Sequence, residues 1–204
     1  MLKGDAKSRT VTFKDELEKA RERIESSDLI MCLDCNSFSR TAGMESLLRG
    51  SKAKKVLIDH HLNPEIDSFD LVFSKTEISS ASELLFWILM EMPGIDDKAS
   101  ALPPECAGAL LTGMTTDTNN FANSVYPGTL EMASRLIEAG VDRDAILSAL
   151  YNNYRENRLR LMGFLMNERL RITDQGIAYI ILDRQTQERF DYRKGESEGF
   201  VNMP

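Results

Sequence analysis

Two short apolar runs, Leu29 to Leu33 and Val56 to Ile58, each end abruptly in an aspartate, Asp34 and Asp59. Runs of this length and composition read as strands, and a brief helix over Gly43 to Leu48, stopped by Gly50, lies between them. A third strand is expected near Leu71 to Phe73. Upstream, Phe13, Leu17, Ala20 and Ile24 recur at helical spacing with charges between them, which predicts an amphipathic helix over 13–26. Strands alternating with helices predict an α/β fold with a parallel sheet flanked by helices.

Beyond the third strand the pattern turns helical. Ser80 can cap a helix, with Glu83 as its capping-box partner and Leu84 to Met90 as an apolar body that reads as core. Pro103 and Pro104 suit the first turn of a helix running through Ala107, Gly108, Ala109 and Gly113 to Met114. Helices are expected near 129–139, closed by Gly140, near 143–152, capped by Asp142, and near 155–170. After Asp174-Gln175-Gly176 an apolar run, Ala178 to Leu182, reads as a strand. The expected division is a first domain over 1–154, a connector helix over 155–173, and the start of a second α/β domain over 174–204.

The 204 residues carry a formal net charge of -7, so no global basic field draws the protein to nucleic acid or to an anionic membrane. A phosphate substrate stays compatible with that charge, because bound cations supply positive charge locally. No apolar stretch approaches the roughly 20 residues of a membrane span, and Met1-Leu2-Lys3-Gly4-Asp5 has no signal-peptide core. An odd cysteine count, three, argues against a disulfide framework and fits a reducing cytoplasm.

The chemistry concentrates at Asp59-His60-His61, which contains the chain's two histidines. Open α/β sheets bind ligands at the carboxyl ends of their strands, and imidazole with carboxylate suits borderline and hard divalent ions. Neighbouring parallel strands would bring Asp34 to the same sheet edge. Asp117, expected just past the end of the small-residue helix, is a third acid that could be delivered there. Taken alone, Asp34 or Asp117 also reads as a turn or cap residue. Adjacent histidines rarely help packing, so the three elements together favour a site for Mn²⁺ or a similar ion. Two such ions about 3.5–4 Å apart, bridged by a carboxylate, form the core of many phosphoester-cleaving sites.

Cys32-Leu33-Asp34-Cys35 has the C-x-x-C spacing, but no second pair completes a structural zinc site, and an inert, buried Cys32 is the expected state. Arg155, Arg158 and Arg160 either meet a phosphate or line a solvated helix face.

Ile58-Asp59-His60-His61, the strand ending at Asp34 and Thr116-Asp117-Thr118 resemble successive motifs of the DHH phosphoesterases, in particular the bacterial oligoribonuclease and phosphoadenosine-phosphate phosphatase branch. The Ile78-Ser79-Ser80-Ala81-Ser82-Glu83 stretch, the Asn157-to-Gly163 helix and the terminal Ser197-to-Asn202 segment resemble it too. The likeness covers nearly the whole chain, and makes the first domain a DHH domain. It implies that Asp34 bridges two Mn²⁺ ions, that His60 and Asp117 complete one ion's ligands, that His61 faces the scissile phosphate, and that Asp59 orients an imidazole. Substrate-binding residues stay unassigned.

Two family features have no counterpart. A first motif, a histidine followed by two closely spaced aspartates, does not precede Asp34, and a glycine-rich, histidine-containing C-terminal motif does not occur before Pro204. The chain is therefore expected to be the middle of a longer protein. Asn119 and Asn120 stand where glycine is expected. The implied activity is metal-dependent hydrolysis of short single-stranded RNA or of a small nucleotide such as 3'-phosphoadenosine 5'-phosphate, in the cytoplasm, away from membranes, with a homodimer allowed. The alternatives are a non-catalytic nucleotide-binding module and an inorganic polyphosphate or pyrophosphate hydrolase.

Overall fold

The structure, a computed structural model, describes residues 11, 16–41 and 43–200. Phe13, Val201 and Asn202 lie outside them. The chain divides into two compact units, Met1–Arg143 and Asp144–Pro204.

The first unit opens with α1 (Leu17–Ser26), β1 (Leu29–Leu33), α2 (Glu45–Gly50), β2 (Lys54–Asp59) and β3 (Leu71–Ser74). The three strands are parallel in the order β1-β2-β3, with Leu33 opposite Ile58 and Asp59 opposite Ser74. One face of this sheet, with α1 and α2, encloses a core of Cys32, Phe38, Leu48 and Leu57, against which Ile24, Ile30 and Val72 pack. Alternation then sends Leu29, Met31 and Leu33 to the opposite face, where they are about half exposed. Helix α2 begins two residues later than expected and includes Gly50, with Ser51 as its C-cap.

Helices α3 (Ala81–Met90), α4 (Pro104–Asp117) and α5 (Pro127–Glu138) complete the packing of this unit. Ser80 Oγ accepts the Glu83 N–H at 3.0 Å, as a capping serine should. The reciprocal half of the expected box is displaced: the Glu83 carboxyl accepts the N–H of Ser79 rather than that of Ser80. Phe86 and Met90 are buried, in line with a core role for this helix. Helix α4 continues past Met114 to Asp117, so the third acid occupies the last helical position instead of the loop beyond. Helix α6 (Arg143–Tyr151) begins at the last residue of this unit and otherwise belongs to the second.

In the second unit, α7 (Glu156–Phe164) runs into a π-helical turn over Leu165–Arg169. Strands β4 (Arg171–Ile172) and β5 (Ala178–Tyr179) pair antiparallel, and Asp183 caps α8 (Arg184–Arg189). The strand expected over Ala178 to Leu182 is thus only two residues long. Ile180 and Leu182 instead pack against the Leu161, Leu165 and Phe200 core. The helix expected as a connector contributes that core's main side chains. Its arginines are held by protein groups: Arg155 by Asp191 and Glu196, Arg160 by Glu156, and Arg158 by the Glu196 and Glu198 carbonyls, with its guanidinium 3.7 Å from the Tyr154 ring centroid.

Candidate metal centre

β1 ends because Asp34 adopts a φ of 58°, a left-handed conformation that aspartate tolerates better than most residues. Its N–H still reaches the Ile58 carbonyl at 3.1 Å, which ties the turn to β2. The next residues are clamped from across the loop. Glu65 accepts hydrogen bonds from Ser37 Oγ, the Phe38 N–H and Ser68 Oγ, and lies 2.6 Å from Arg49. Hydrogen bonds from Ser68, Arg49 and Ser37 hold its carboxyl far below the usual range, at about 2.

At the end of β2, Asp59 has no exposed surface. Its Oδ2 accepts the His61 N–H at 2.9 Å, and its Oδ1 lies 2.8 Å from His61 Nδ1. A hydrogen bond in that position places the imidazole proton on Nδ1 and leaves Nε2 as the nitrogen available for other chemistry. His60 has a different environment. Its Nε2 is 3.4 Å from Asp34 Oδ1 and 3.8 Å from Asp117 Oδ2. The two imidazoles sit edge to face with centroids 4.7 Å apart.

The structure therefore brings all five sequence-identified residues to one place. Asp34, His60 and His61 offer ligand atoms within 4.8 Å of one another, and Asp117 adjoins them through His60. Ligand atoms 2.0–2.2 Å from a divalent ion are separated from each other by about 3.0–3.5 Å. The Asp34–His60 spacing falls in that range, and the His60–Asp117 spacing exceeds it by a few tenths of an ångström. Asp59 already holds His61 Nδ1, which lies 3.8 Å from Asp34 Oδ1, so His61 could serve an ion only through Nε2. Burial, then the charge of Asp34, raises the Asp117 carboxyl above its ordinary value, while the two histidines pull it down. A bound cation would offset that crowding of negative groups.

Beside the acids lies a cleft of about 130 Å³, walled by Leu33, Ser82, Leu85, Gly113 and Thr116. Ser82 and Thr116 fall in stretches that resemble family motifs, but the sequence assigned neither residue a role. The small-residue pattern of α4 was legible, and at Gly113 the neighbour it admits is another helix. A methyl group on Gly113 would meet Ser82 Oγ at 2.1 Å, so the glycine lets α4 approach α3. Cys32 is inert: burial, with Cys35 adding to it, pushes its thiol up to about 11, and all three cysteines are free.

Residues 5–114, more than half of the chain, match the DHH family, N-terminal domain. Asp34 and the Asp59-His60-His61 triplet lie inside the matched span, and Asp117 just beyond it. The chain is 29% identical over 137 residues to an uncharacterized protein of Mycoplasma pneumoniae, covering 66% of this chain and 39% of that protein. It is 29% identical over 155 residues to the probable bifunctional oligoribonuclease and PAP phosphatase NrnA of Streptococcus mutans, covering 73% of this chain and 46% of that one. The crystal structure of an exopolyphosphatase-related protein from Bacteroides fragilis matches with a TM-score of 0.90 and 37% identity, over 98% of this chain and 58% of that one. The chain thus spans less than two thirds of each of these relatives. A parallel three-stranded sheet whose first two strands end in aspartates, with paired histidines following the second, accompanies a match over more than half the sequence: the chain belongs to the DHH family.

Proposed function

We propose that this chain carries a Mn²⁺-binding phosphoesterase centre that acts on short RNA oligomers or phosphorylated nucleotides. The observation that supports this most directly is the convergence of Asp34, His60 and Asp117 at the sheet edge, with spacings of 3.4 and 3.8 Å about His60 Nε2. These three residues would hold an ion. When bound, the ion neutralises phosphate charge and lowers the pKa of water. Asp34, the most exposed of the three, has the second oxygen needed to bridge to another ion. Asp59 fixes the His61 ring with its proton on Nδ1, so that Nε2 would act toward the substrate as a proton acceptor. No helix among the described residues is long and apolar enough to cross a membrane.

A nucleotide substrate is favoured by the Streptococcus mutans relative, whose name gives it oligoribonuclease and PAP phosphatase activities. The Bacteroides fragilis protein, named as exopolyphosphatase-related, supports inorganic polyphosphate as a second reading. Incubating the protein with Mn²⁺ and a panel of short RNA, 3'-phosphoadenosine 5'-phosphate and polyphosphate separates these. Metal-dependent release of mononucleotide or phosphate from the first two is expected, with a loss of about 100-fold or more in Asp34→Ala and in His60→Ala. Undiminished turnover in both variants would remove these residues from the reaction. Calorimetric titration with Mn²⁺ that shows no binding would favour a non-catalytic module.

A further inference from the structure

Helix α3 has two working faces. Ala81, Ser82 and Leu85 line the metal-site cleft, whereas Glu83 and Trp87, on the other face, line a second, open pocket of about 400 Å³ together with Lys75, Tyr126 and Gly128. This pocket also lies at a carboxyl end of the sheet, because Lys75 directly follows β3 and its N–H donates to the Asp59 carbonyl at 3.2 Å. Its volume is within the range of small-molecule sites.

The buried carboxyl of Glu83 is unevenly engaged. Oε2 accepts from the Ser79 N–H, Ser79 Oγ and Thr129 Oγ1. Among the described residues, Oε1 accepts only from Trp87 Nε1, at a long 3.4 Å. Glu83 is 2% exposed, so an under-used acceptor there carries a desolvation penalty that a donating ligand would relieve. Gly128 stands close beside that oxygen, where a Cβ would lie 2.9 Å from Oε1. Lys75, at the pocket wall, makes no ion pair among the described residues.

We propose that this pocket binds the base of a nucleotide, specifically an amino-bearing base such as adenine. The ring lies against Tyr126 and Trp87, the exocyclic amine donates to Glu83 Oε1, and a phosphate of the ligand pairs with Lys75. The choice of a nucleotide rests on the substrate class proposed above. Inorganic polyphosphate has neither a ring nor an N–H donor for this pocket.

Trp87 is the chain's single tryptophan, so the emission comes from this pocket wall, where the ring also meets Phe86 and the Arg135 guanidinium. Titrating the full chain in metal-free buffer with AMP, UMP and pyrophosphate should give saturable quenching by AMP. Binding of UMP, which lacks the amine, should be about 10-fold weaker, and pyrophosphate should leave the emission unchanged. Glu83→Gln can keep its oxygen on the Ser79 and Thr129 donors and turn an amide N–H toward the ligand, which reverses the preference to UMP over AMP. If that variant does not fold, Tyr126→Ala at the pocket rim should weaken AMP binding without shifting the melting temperature. Equal quenching by AMP and UMP, quenching by pyrophosphate, an unreversed preference in folded Glu83→Gln, or undiminished AMP binding in Tyr126→Ala would each overturn the proposal. An unresponsive Trp87 beside intact Mn²⁺-dependent hydrolysis removes the base pocket and leaves the metal centre standing. A responsive Trp87 without hydrolysis supports the pocket and removes the phosphoesterase reading.

Discussion

At the residue scale, Asp59 shows how two adjacent histidines acquire different roles. Both of its oxygens engage His61, one through the main chain and one through the ring, and none of its surface meets solvent. Asp59→Asn keeps the volume but sets an amide N–H against one of two donors, which rotates the ring or inverts its tautomer. Hydrolysis is expected to fall about 10–100-fold, with calorimetric Mn²⁺ affinity little changed. An equal loss of metal affinity would make Asp59 a ligand instead. The triplet was legible in the sequence because adjacent imidazoles after a strand have little packing use. Which imidazole Asp59 orients was not legible, since that depends on a turn conformation. The same holds for Asn119, Asn120 and Phe121, which adopt φ values of 47°, 54° and 66° after α4. Asparagine accepts this conformation where glycine was expected, but phenylalanine does so only under strain.

At the element scale, the site depends on how closely α4 approaches α3. Gly113→Ala would place its methyl group 2.1 Å from Ser82 Oγ, which rotation of that hydroxyl can relieve, and 3.1 Å from Ser82 Cβ, which it cannot, and mild overpacking of this kind costs about 1 kcal/mol. Gly108→Ala on the same helix, where nothing lies within 4 Å, should be neutral or stabilising, since alanine is the better helix former. Urea denaturation of the two variants checks the contrast, and equal midpoints would show that the α3–α4 approach is not tight. The small-residue character of α4 was readable as a sign of close packing. Its partner was not, because helical periodicity marks a face without saying what will cover it. The helix also outran its apolar pattern: Thr115, Thr116 and Asp117 stay helical, and that extension carries the third acid to His60.

At the scale of the whole molecule, the proposed ligands Asp34, His60 and Asp117 all belong to the first compact unit. Mn²⁺ at 100 times its dissociation constant should stabilise that unit by about 2.7 kcal/mol. Hydrogen exchange should show added protection in β1, β2 and α4, and unchanged protection near Leu161 and Leu165 in the second unit. Equal protection in both would mean that the ion engages residues outside this donor set. Helix α7 shows the limit of reading elements singly. Its sequence reads as a connector, and Leu161, with Leu165 in the turn that follows, packs with Phe200, a contact across about forty residues of sequence that no local pattern announces.

The order of the elements, the parallel sheet and the chemical character of the site were determined by the sequence alone, because apolar run length, capping residues and ligand type are local properties. Only the tertiary structure decided that Asp59 serves His61 and not His60, that Asp117 ends a helix within reach of His60, and that Glu83 turns one oxygen toward an aromatic pocket. The first outcome rests on a turn conformation, and the other two on distances between residues far apart in the chain, which follow from packing rather than from spacing.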